Sequence, residues 1–449
     1  MAAYPVNDSV LRWLETMLAE RFGHSWRLSR SHDCLVLTLR GVEGSIIFDQ
    51  LEDSFSLAQS DQPFTQWAAD HEGWNSVLGG ALPAPCVGRL RAPLIERRST
   101  DHVVHFDILG LCYWMLARVE EIGRHDLDKH RRFPASSSHA RRHGYLDRPV
   151  VDEWLLVLGQ VIQRQWPQIE LKRHRFKILL SHDVDRPTRY GFASPGNLIR
   201  RMAGDLVRGD VRSGLIGPWL WLNTRTCLNP ADPFNTFEWI MDQSERRGLK
   251  SAFYFLCGHT DRRRDGDYEL EHPAIRSLLR RIHARGHEIG LHPSYNTYAM
   301  PEVLKQEADR LRRICSEEGI QQDVWGGRMH FLRWECPATL RAWDDADMRY
   351  DSTLSYADHA GFRCGTCFEY PAFDPVSSEM LRLRVRPLIA MEASVLSKAY
   401  MGLNGATDGL HMFQRLKHAC EKVEGQFTLL WHNSELNSRN VRIYESLLG

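Results

Sequence analysis

The sequence predicts an α/β protein in which a smaller domain of mixed α and β structure precedes a closed or nearly closed barrel of about seven parallel strands. Three observations support this fold class. The chain has 449 residues, which is too long for one core of ordinary size and typical of two domains. Residues 1–165 mix short alternating strand patterns with helical ones. In residues 175–449, short apolar runs alternate with helical patterns, which indicates parallel strands covered by helices.

The first domain contains strand and helix signals but no group of residues typical of a catalytic site. The alternating runs CLVLTL at 34–39 and GSIIFDQ at 44–50 predict strands. Apolar residues at helical spacing predict a buried helix over 106–121. The polar stretch 124–149 is rich in His and Arg, and we interpret it as a long ordered loop.

The second domain contains seven candidate strands. Their sequences are KILLSHD (177–183), SAFYFLCG (251–258), HEIGLH (287–292), DVWGGRMH (323–330), MRYD (348–351), VRPLI (385–389) and FTLLWHN (427–433). Leu278 and its helically spaced neighbours predict a helix that Gly286 ends in a left-handed conformation, and Leu311 marks the next helix. Active sites of parallel barrels gather at the carboxyl ends of the strands.

Residues 190–231 interrupt this alternation between the first strand and the helix that follows it. A connection of this length without regular alternation is usually functional or mobile. Two interpretations of Trp219, Trp221 and their apolar neighbours remain open. Either these side chains cover a substrate cleft, or they pack on the first domain.

Composition and charge exclude several functional classes. Lys plus Arg and Asp plus Glu are both 57, so the overall charge gives no indication of a nucleic acid or an anionic membrane as partner. No segment has the apolar length that spans a bilayer, and the N-terminus lacks the features of an export signal, so we expect a cytoplasmic protein. Cys364 and Cys367 form a single Cys-x-x-Cys pair, for which we expect a structural role rather than metal binding. The oligomeric state is not predicted.

Two carboxylates lie at the end of the first strand of the second domain. Asp183 and Asp185, in SHDVDRP, are two residues apart, so both side chains point into the mouth of the barrel. Neighbouring carboxylates repel each other unless a cation lies between or beside them. A metal ion would bind one carboxylate and leave the other free to act as a base. The alternative is a pair of solvated carboxylates that cap nearby amides.

Other strand ends also carry polar or ionisable side chains. HEIGLH ends in His292, with Asn296 shortly after it, and FTLLWHN ends its apolar run at His432. A further strand end, in GGRMHFLRW, is followed by Arg328, His330 and Arg333. An aspartate together with histidines matches the ligands of zinc or a related divalent ion.

Taken in order, these motifs resemble those of the polysaccharide deacetylase family, carbohydrate esterase family 4, whose domain is a distorted (β/α) barrel. SHDVDRP resembles the first motif, GHEIGLHPSYN the second, RMHFLRW the third and LLWHN the last. The resemblance implies that Asp183 is the general base, that Arg328 orients it and that His432 is the general acid. It also implies that Asp185 and His292 hold a divalent metal ion, which we expect to be zinc.

The resemblance extends beyond these motifs. The stretch YDSTLSYADHAGFRCGTC (350–367) and the first domain resemble a branch of the family found among surface-polysaccharide and O-antigen biosynthesis proteins, in which an extra N-terminal domain precedes the deacetylase module. The implied activity is hydrolytic deacylation, first of all N-deacetylation, of an amino sugar in a cell-surface polysaccharide or its precursor. The implied partner is therefore a carbohydrate that carries an N-acyl group.

The chain departs from the family pattern at two points. Asn296 stands where the family has a second metal-binding histidine, so either Asn296 binds the metal, or His330 or a water completes the ligands, or metal binding is lost. Asp-Val-Asp replaces Asp-Asp, which allows the two carboxylates to exchange roles. Candidates for substrate binding near these motifs are Tyr295, Arg333, Trp334 and Asp351.

Two other functions remain open. A metal-dependent amidase that acts on a small molecule or a nucleotide-linked sugar would use the same chemistry, and the shape of the cleft would distinguish it from a polymer deacetylase. The other is a non-catalytic carbohydrate-binding protein. Retention of both a candidate base and a candidate acid favours an enzyme over this alternative.

Overall fold

The computed structural model describes residues 6–207 and 209–449. Residues 1–5 of the predicted first domain (1–165) and position 208 of the predicted insertion (190–231) lie outside the described residues. One hydrophobic core extends from Val10 in the first part of the chain to Val385 in the second. The boundary between 165 and 175 therefore stays a prediction.

The first part of the chain mixes helices and strands. Its elements are α1 (Asp8–Phe22), β1 (Trp26–Ser31), β2 (Cys34–Leu39), β3 (Ser45–Phe48), β4 (Phe64–Trp67), β5 (Leu82–Pro85), β6 (Ile95–Arg98), β7 (Asp101–Val104), α2 (Ile108–Leu116), α3 (His139–Arg142) and α4 (Val150–Gln165). Five strands form a sheet in the order β1-β2-β3-β7-β6, and β4 pairs with β5. The strands predicted at 34–39 and 44–50 are confirmed as β2 and β3. Helix α2 is shorter than the predicted helix 106–121, because Arg118 adopts a left-handed backbone with a φ of 53°.

The second part of the chain alternates strands and helices. Its elements are β8 (Lys177–Val184), α5 (Pro195–Val207), α6 (Val211–Asn223), α7 (Phe237–Glu245), β9 (Ser251–Leu256), α8 (Pro273–Ala284), β10 (Glu288–His292), α9 (Pro301–Glu317), β11 (Gly326–Gly327), α10 (Ala338–Asp345), β12 (Tyr350–Asp351), β13 (Tyr370–Asp374), β14 (Glu379–Val385), β15 (Ala390–Met391), α11 (Glu392–Leu396), α12 (Ala406–Lys422), β16 (Gln426–Leu430) and α13 (Ser438–Leu448). Leu311 lies on the buried face of α9, and the predicted end of α8 is confirmed by Gly286, with a φ of 78°.

One sheet connects strands β8 to β16 in the order β13-β14-β12-β11-β10-β9-β8-β16-β15. All neighbours are parallel except β13 and β14, so the prediction of a parallel α/β architecture is confirmed. The predicted count of about seven strands is not confirmed, because the described residues form eight parallel strands and one antiparallel strand in this sheet. Hydrogen bonding within the described residues leaves β13 and β15 as edges, so a closed barrel is not shown.

The strand predicted at 385–389 is wrong. β14 ends at Val385, which is the first residue of the predicted strand. The next strand, β15, begins at Ala390, just after the predicted strand ends. Pro387 lies between them and has no N–H to donate to a strand neighbour. The antiparallel partner of β14, strand β13, was not predicted.

The parallel pairing brings the carboxyl ends of the strands to one edge of the sheet. Neighbouring parallel strands point the same way, so their carboxyl ends lie side by side. The residues at or just after these ends include Asp183, Asp185, His292, Arg328, Glu392 and His432. This edge therefore collects the polar side chains that the sequence places on separate strands.

Helices α5 and α6 form a hairpin within the predicted insertion. Its inner side is a small buried cluster that includes Tyr190, Leu198 and Leu220. Trp221 donates its indole N–H to the carbonyl oxygen of Ala193 at 2.8 Å, whereas Trp219 is 53% exposed. The two tryptophans thus differ, one packed within the hairpin and the other in solvent.

The structure also bears on the cysteines and on membrane spans. Cys364 and Cys367 are buried free thiols, and the other eight cysteines are free as well. In the residues that the structure describes, no helix combines the length and the apolar character needed to cross a membrane.

Candidate active site

The candidate site lies where the carboxyl ends of β8, β10 and β16 meet. Asp183 belongs to β8, and Asp185 follows the last residue of that strand. Both carboxylates face the same imidazole: His292 Nε2 lies 3.8 Å from Asp183 Oδ2 and 3.1 Å from Asp185 Oδ1. Asp183 is buried, whereas 30% of the Asp185 side chain is exposed. The strand therefore places one carboxylate inside the site and the other at its mouth.

Three side chains near this point can each offer one ligand atom to a metal ion. Those of Asp185, His292 and His330 lie within 4.8 Å of one another. His292 Nδ1 donates to the carbonyl oxygen of Arg328 at 2.6 Å, which leaves the lone pair of the neutral ring on Nε2. His330 Nδ1 donates to Asp265 Oδ1 at 3.1 Å, and its Nε2 lies 3.5 Å from Asp185 Oδ1. Both imidazoles are thus oriented through Nδ1, as metal-binding histidines usually are.

Two buried atoms of these side chains lack a hydrogen-bond partner among the described residues. They are Asp185 Oδ1 and His292 Nε2. When the proton of a neutral His292 is on Nδ1, two lone pairs face each other at 3.1 Å. This is unfavourable unless a cation or an added proton lies between them. A carboxylate and two imidazoles match the ligands of divalent metal ions, so the residues present fit such an ion.

The pKa shifts of Asp185 and His330 have the same electrostatic cause, the closeness of a carboxylate to imidazoles. Burial alone would raise the pKa of Asp185, but His330 and His292 lower it well below its ordinary value. Burial alone would lower the pKa of His330, but Asp185 and Asp265 raise it to about 9. The site therefore stabilises a positive charge beside Asp185.

Asp265 is a functional candidate that sequence reasoning missed. It lies in the connection after β9 and accepts the backbone N–H groups of Thr260, Asp261 and Tyr295 besides the imidazole of His330. These contacts hold the carboxylate in place. Asp265 is thus fixed by the backbone and in turn fixes the His330 ring.

Asn296 lies outside this group of possible ligands. Its side-chain oxygen accepts from Arg333 at 3.1 Å, and its side-chain nitrogen donates to the carbonyl oxygen of Thr260 at 3.0 Å. Both polar atoms of the amide are therefore used in contacts with the connections that follow β9 and β11. Of the alternatives that the sequence left open, His330 is the side chain that the structure brings to Asp185 and His292.

Arg328 contacts Asp183, as the motif resemblance implies. Its Nη1 donates to Asp183 Oδ1 at 2.8 Å, and its other nitrogens donate to Ser181 and Ser352. The guanidinium is fully buried, so the contact is an ion pair shielded from water. Four hydrogen bonds thus fix the Arg328 guanidinium and, through it, one oxygen of Asp183.

A second ion pair lies on the other side of Asp185. His432 Nδ1 is 2.5 Å from Glu392 Oε1, and its Nε2 is 3.8 Å from Asp185 Oδ2. Burial would lower the pKa of His432, but Glu392 and Asp185 raise it to about 10, so the ring is held in its charged form. Glu392 was missed by sequence reasoning. Its signal was its position directly after β15, and the wrong strand assignment at 385–389 concealed that position.

Two cavities meet at Asp185 and His432. The smaller, of about 150 Å³, reaches the three possible ligands and Asp183. Its apolar lining comes from Phe331, Leu332, Ala357, Met391 and Ala393. The larger, of about 400 Å³, shares Asp185, Ala393 and His432 with the smaller one. Its polar lining includes Arg186, Ser397, Asn404, Ser434, Arg439 and Asn440.

A third cavity, of about 390 Å³, lies away from these side chains, between the two parts of the chain. Two arginines in its lining lie beside carboxylates, since Arg384 contacts Glu20 at 2.9 Å and Arg21 lies 3.4 Å from Asp152. The only group of three possible metal ligands found in the described residues lies elsewhere. We therefore place the candidate site at the strand ends.

The first part of the chain contributes Arg132 to the smaller cavity. Arg132 lies in the stretch 124–149, for which the sequence indicated only an ordered loop. Its Nε donates to Asp128 at 2.8 Å and its Nη1 to the carbonyl oxygen of Phe331 at 2.8 Å. Phe331 has a φ of 61°, so Arg132 helps to hold a strained turn at the cavity.

Two of the predicted substrate-binding residues lie between the two parts of the chain. Arg333 lies over the rings of Tyr295 and Tyr298, at 4.0 and 3.7 Å from their centroids, and donates to the carbonyl oxygen of His130. The Tyr295 hydroxyl is hydrogen-bonded to His130 Nδ1 at 2.8 Å. Neither side chain lines the smaller or the larger cavity. Both connect the loop of the first part to the strand ends.

The other two predicted substrate-binding residues are also buried away from these cavities. Trp334 is 3% exposed and belongs to the main hydrophobic core. Asp351 is fully buried and accepts the backbone N–H of Thr353 at 2.9 Å, and burial raises its pKa to about 6. Neither lines the cavities at Asp185 and His432.

The loop after His292 depends on a buried glutamate whose ionisation opposes folding. Glu307 accepts the backbone N–H of Ser294 at 2.8 Å and its hydroxyl at 2.5 Å, and burial raises the pKa of Glu307 from 4.5 to about 7. The folded state therefore loses stability relative to the unfolded state as the pH rises from 4.5 to about 7. We expect Glu307→Gln to remove this loss and to increase the unfolding free energy above pH 7 by about 2–3 kcal/mol.

Urea unfolding on both sides of this pH window measures the effect. The amide of Gln can still accept the Ser294 N–H and donate to its hydroxyl. Glu43→Gln, at an exposed position outside the helices and strands, is the matched control and should change the free energy equally on both sides of the pH window. An unfolding free energy of Glu307→Gln that follows wild type at every pH would contradict the prediction.

The first part of the chain matches one protein family. Residues 12–167 match the family of unknown function DUF7033, a segment that includes Arg132 but none of the three possible ligands. No curated protein matches the chain.

Solved structures give distant likenesses. A protein from Mycobacterium smegmatis named as a polysaccharide deacetylase is 16% identical, with a TM-score of 0.38, over 62% of this chain and 84% of that one. A Puue allantoinase is 11% identical, with a TM-score of 0.36, over 61% and 83% of the two chains. The Xyl-CE4 domain of a xylanase from the hindgut metagenome of Trinervitermes trinervoides is 11% identical, with a TM-score of 0.28, over 62% and 82%.

Proposed function

We propose that the chain is a divalent-metal-dependent hydrolase that removes an N-acyl group, first of all acetyl, from an amino sugar in a cell-surface polysaccharide or its precursor. The observation that carries the proposal is the pair of buried atoms without partners, Asp185 Oδ1 and His292 Nε2, beside His330. Two ion pairs flank these atoms, one on each side, and one can accept a proton whereas the other can donate one. Asp183 with Arg328 provides a carboxylate, and His432 with Glu392 provides a protonated imidazole.

Asp185, His292 and His330 would hold the metal ion. Zinc is the ion we propose, because it commonly binds one carboxylate together with imidazoles in catalytic sites. When bound, such an ion supplies a Lewis acid and brings the pKa of a water close to neutrality.

The two carboxylates have different surroundings, which supports different roles. Asp185 lies closer than Asp183 to His292 and also lies near His330, so it suits the role of ligand. Asp183 has one oxygen held by Arg328 and the other directed toward the site. Arg328 holds this carboxylate in a buried ion pair, and Asp183 would accept a proton from the attacking water.

His432 suits the role of general acid. An amide nitrogen leaves only when it is protonated, so hydrolysis needs a proton donor on the side of the departing amine. Glu392 keeps His432 charged, with its pKa raised to about 10. Its free Nε2 faces the point where the two cavities meet, so it would protonate the amine as the C–N bond breaks.

The two cavities support a substrate with a small apolar group and a larger polar group. The smaller, partly apolar cavity of about 150 Å³ fits the methyl of an acetyl group, or a formyl group, beside the ligands. The larger, polar cavity of about 400 Å³ offers hydroxyl, amide and guanidinium groups that would bind sugar hydroxyls. The scissile amide would lie between them, next to Asp185 and His432.

Metal content is the first test. We expect wild-type protein purified without added metal to contain about one equivalent of a divalent ion, and Asp185→Asn and His292→Gln to lose it. Elemental analysis of the purified proteins measures this directly. Asp323→Asn and His411→Gln change the same residue types at exposed positions and should keep the metal.

The outcome separates the competing functions. Wild-type protein that contains no metal and takes none up on titration would contradict the hydrolytic mechanism and favour a non-catalytic carbohydrate-binding protein. If metal is bound, acetate release from acetylated amino-sugar oligomers, a nucleotide-linked acetylamino sugar and a small acetamide identifies the substrate. Release from the last two alone would favour the amidase.

A further inference from the structure

The α5–α6 hairpin exposes a group of large apolar side chains, here called the outer hairpin face. Its members are Ile199, Leu206, Val207, Val211, Leu215, Trp219 and Leu222. Their exposed fractions run from 45% for Leu206 to 89% for Val207. They are seven of the twelve large apolar side chains that are exposed in the described residues. Such a concentration on one short segment is unusual for a surface that only meets water.

The exposure follows from the helical pattern. In α6, Val211, Leu215, Trp219 and Leu222 recur every three or four residues, so they lie along one side of the helix. The buried residues of this helix are Gly214, Gly217 and Leu220. Side chains added at the two glycines would meet Leu206 and Met202 of α5 within 3.0 Å. The helix therefore packs through small residues and presents large apolar ones outward, the reverse of an ordinary surface helix.

The hairpin is attached to the connections that follow β8 and β9, the strands beside the site. Arg189, shortly after Asp185, donates to Asp205 of α5 at 2.8 Å and to Asp232 at 2.8 Å through its backbone N–H. Arg201 of α5 donates to the carbonyl oxygen of Arg189 at 2.7 Å and also contacts Asp267. The outer hairpin face is therefore held at a fixed place on the protein.

The charges next to this face are mainly positive. Arg200, Arg212 and Arg225 are exposed on or beside the two helices, and residues 190–231 contain no glutamate. The acidic residues of the hairpin are used locally: Asp205 is buried against Arg189, and Asp210 accepts the Ser213 N–H at the start of α6. Apolar residues with an exposed tryptophan and flanking arginines are typical of helices that lie in the interface of a membrane.

From this combination we infer that the outer hairpin face binds the surface of a membrane that contains anionic lipids. The apolar side chains would enter the boundary between headgroups and acyl chains, and the arginines would contact lipid phosphates. A second copy of the chain is a poorer partner for this face, because a symmetric contact would bring the same arginines of both copies together. The inference does not depend on the reaction proposed for the site.

Flotation of the full chain on lipid vesicles tests it. We expect the wild-type protein to float with vesicles of phosphatidylcholine and phosphatidylglycerol, to float much less with phosphatidylcholine alone, and to be released by added salt. The double substitution Leu215→Gln and Trp219→Gln should weaken binding by about tenfold or more. Arg200→Gln with Arg212→Gln should weaken it as well and reduce the effect of salt.

Matched variants separate surface binding from a damaged fold. Leu215 and Trp219 are 69% and 53% exposed, so the thermal midpoint of the double variant should equal that of wild type. Val376→Gln changes an apolar residue that is 64% exposed elsewhere and should bind vesicles like wild type. Wild-type protein that does not float, or a double variant that floats equally well, would overturn the inference. A wild-type dimer that the double variant breaks, without vesicle binding, would assign the face to a second copy instead.

Discussion

Asp183→Asn is expected to lower the rate of amide hydrolysis by about 10³-fold while the metal content stays at the wild-type level. Asparagine keeps the shape of the side chain and can still accept from Arg328, but it cannot take a proton from water. The three possible ligands, Asp185, His292 and His330, are not changed. Steady-state rates of acetate release, measured with elemental analysis of the same preparation, separate loss of the base from loss of the metal.

A surface ion pair of the same composition provides the control. Asp309 contacts Arg312 at 2.7 Å and is 59% exposed, so Asp309→Asn removes an aspartate–arginine pair without touching the site. Its rate should equal that of wild type. If Asp183→Asn loses the metal whereas Asp185→Asn keeps it and loses activity, the two carboxylates have exchanged roles, and the assignment of Asp185 as the ligand is wrong.

The strand-end residues could be predicted because each follows a continuous apolar run. In β8, β10 and β16 the run stops at a polar residue, and parallel pairing then brings Asp185, His292 and His432 to one edge. Such a pattern needs no knowledge of the connections between the strands. The pattern places each side chain at a strand end, and the parallel order of the strands brings these ends together.

Residues contributed by connections could not be predicted in this way. Asp265 lies in a connection that contains several acidic residues, and nothing local distinguishes it from Asp261 or Asp267. Arg132 comes from the first part of the chain, and its place at the cavity depends on how the two parts pack. Both act through long-range contacts that a local pattern does not contain.

The aromatic and arginine residues near the motifs show a different limit. Tyr295, Arg333 and Trp334 follow the strand ends in sequence, as substrate-binding residues often do. In the structure, however, Tyr295 and Arg333 pack between the two parts of the chain, and Trp334 lies in the main hydrophobic core. A large side chain beside a site contributes to packing as readily as to binding, and residue type alone does not separate the two.

For the sheet, the alternation in β14 is present in the sequence, but the two-residue strand β15 has too few residues to form a pattern.

His432→Gln is expected to lower amide hydrolysis by about 10²–10⁴-fold and to lower hydrolysis of an activated ester far less. The reason lies in the leaving group, since an amine must be protonated to depart, whereas a phenolate leaves unaided. Parallel rate measurements on an acetamide and an aryl acetate test this difference. The matched control is His418→Gln, because His418 is 63% exposed and lies 3.6 Å from Glu421 in a surface pair of the same kind. Equal losses on both substrates would contradict a proton-donor role.

Glu392→Gln tests the same role through the pH profile. A general acid works while it is protonated, so the rate falls as the pH rises through its pKa. Glu392 contributes to raising the pKa of His432 to about 10, and its removal should lower that pKa and move the alkaline fall of the rate to lower pH by about one to three pH units. Glu421→Gln should leave the profile in place. A profile unchanged in Glu392→Gln would show that His432 is not the group whose ionisation limits the reaction at high pH.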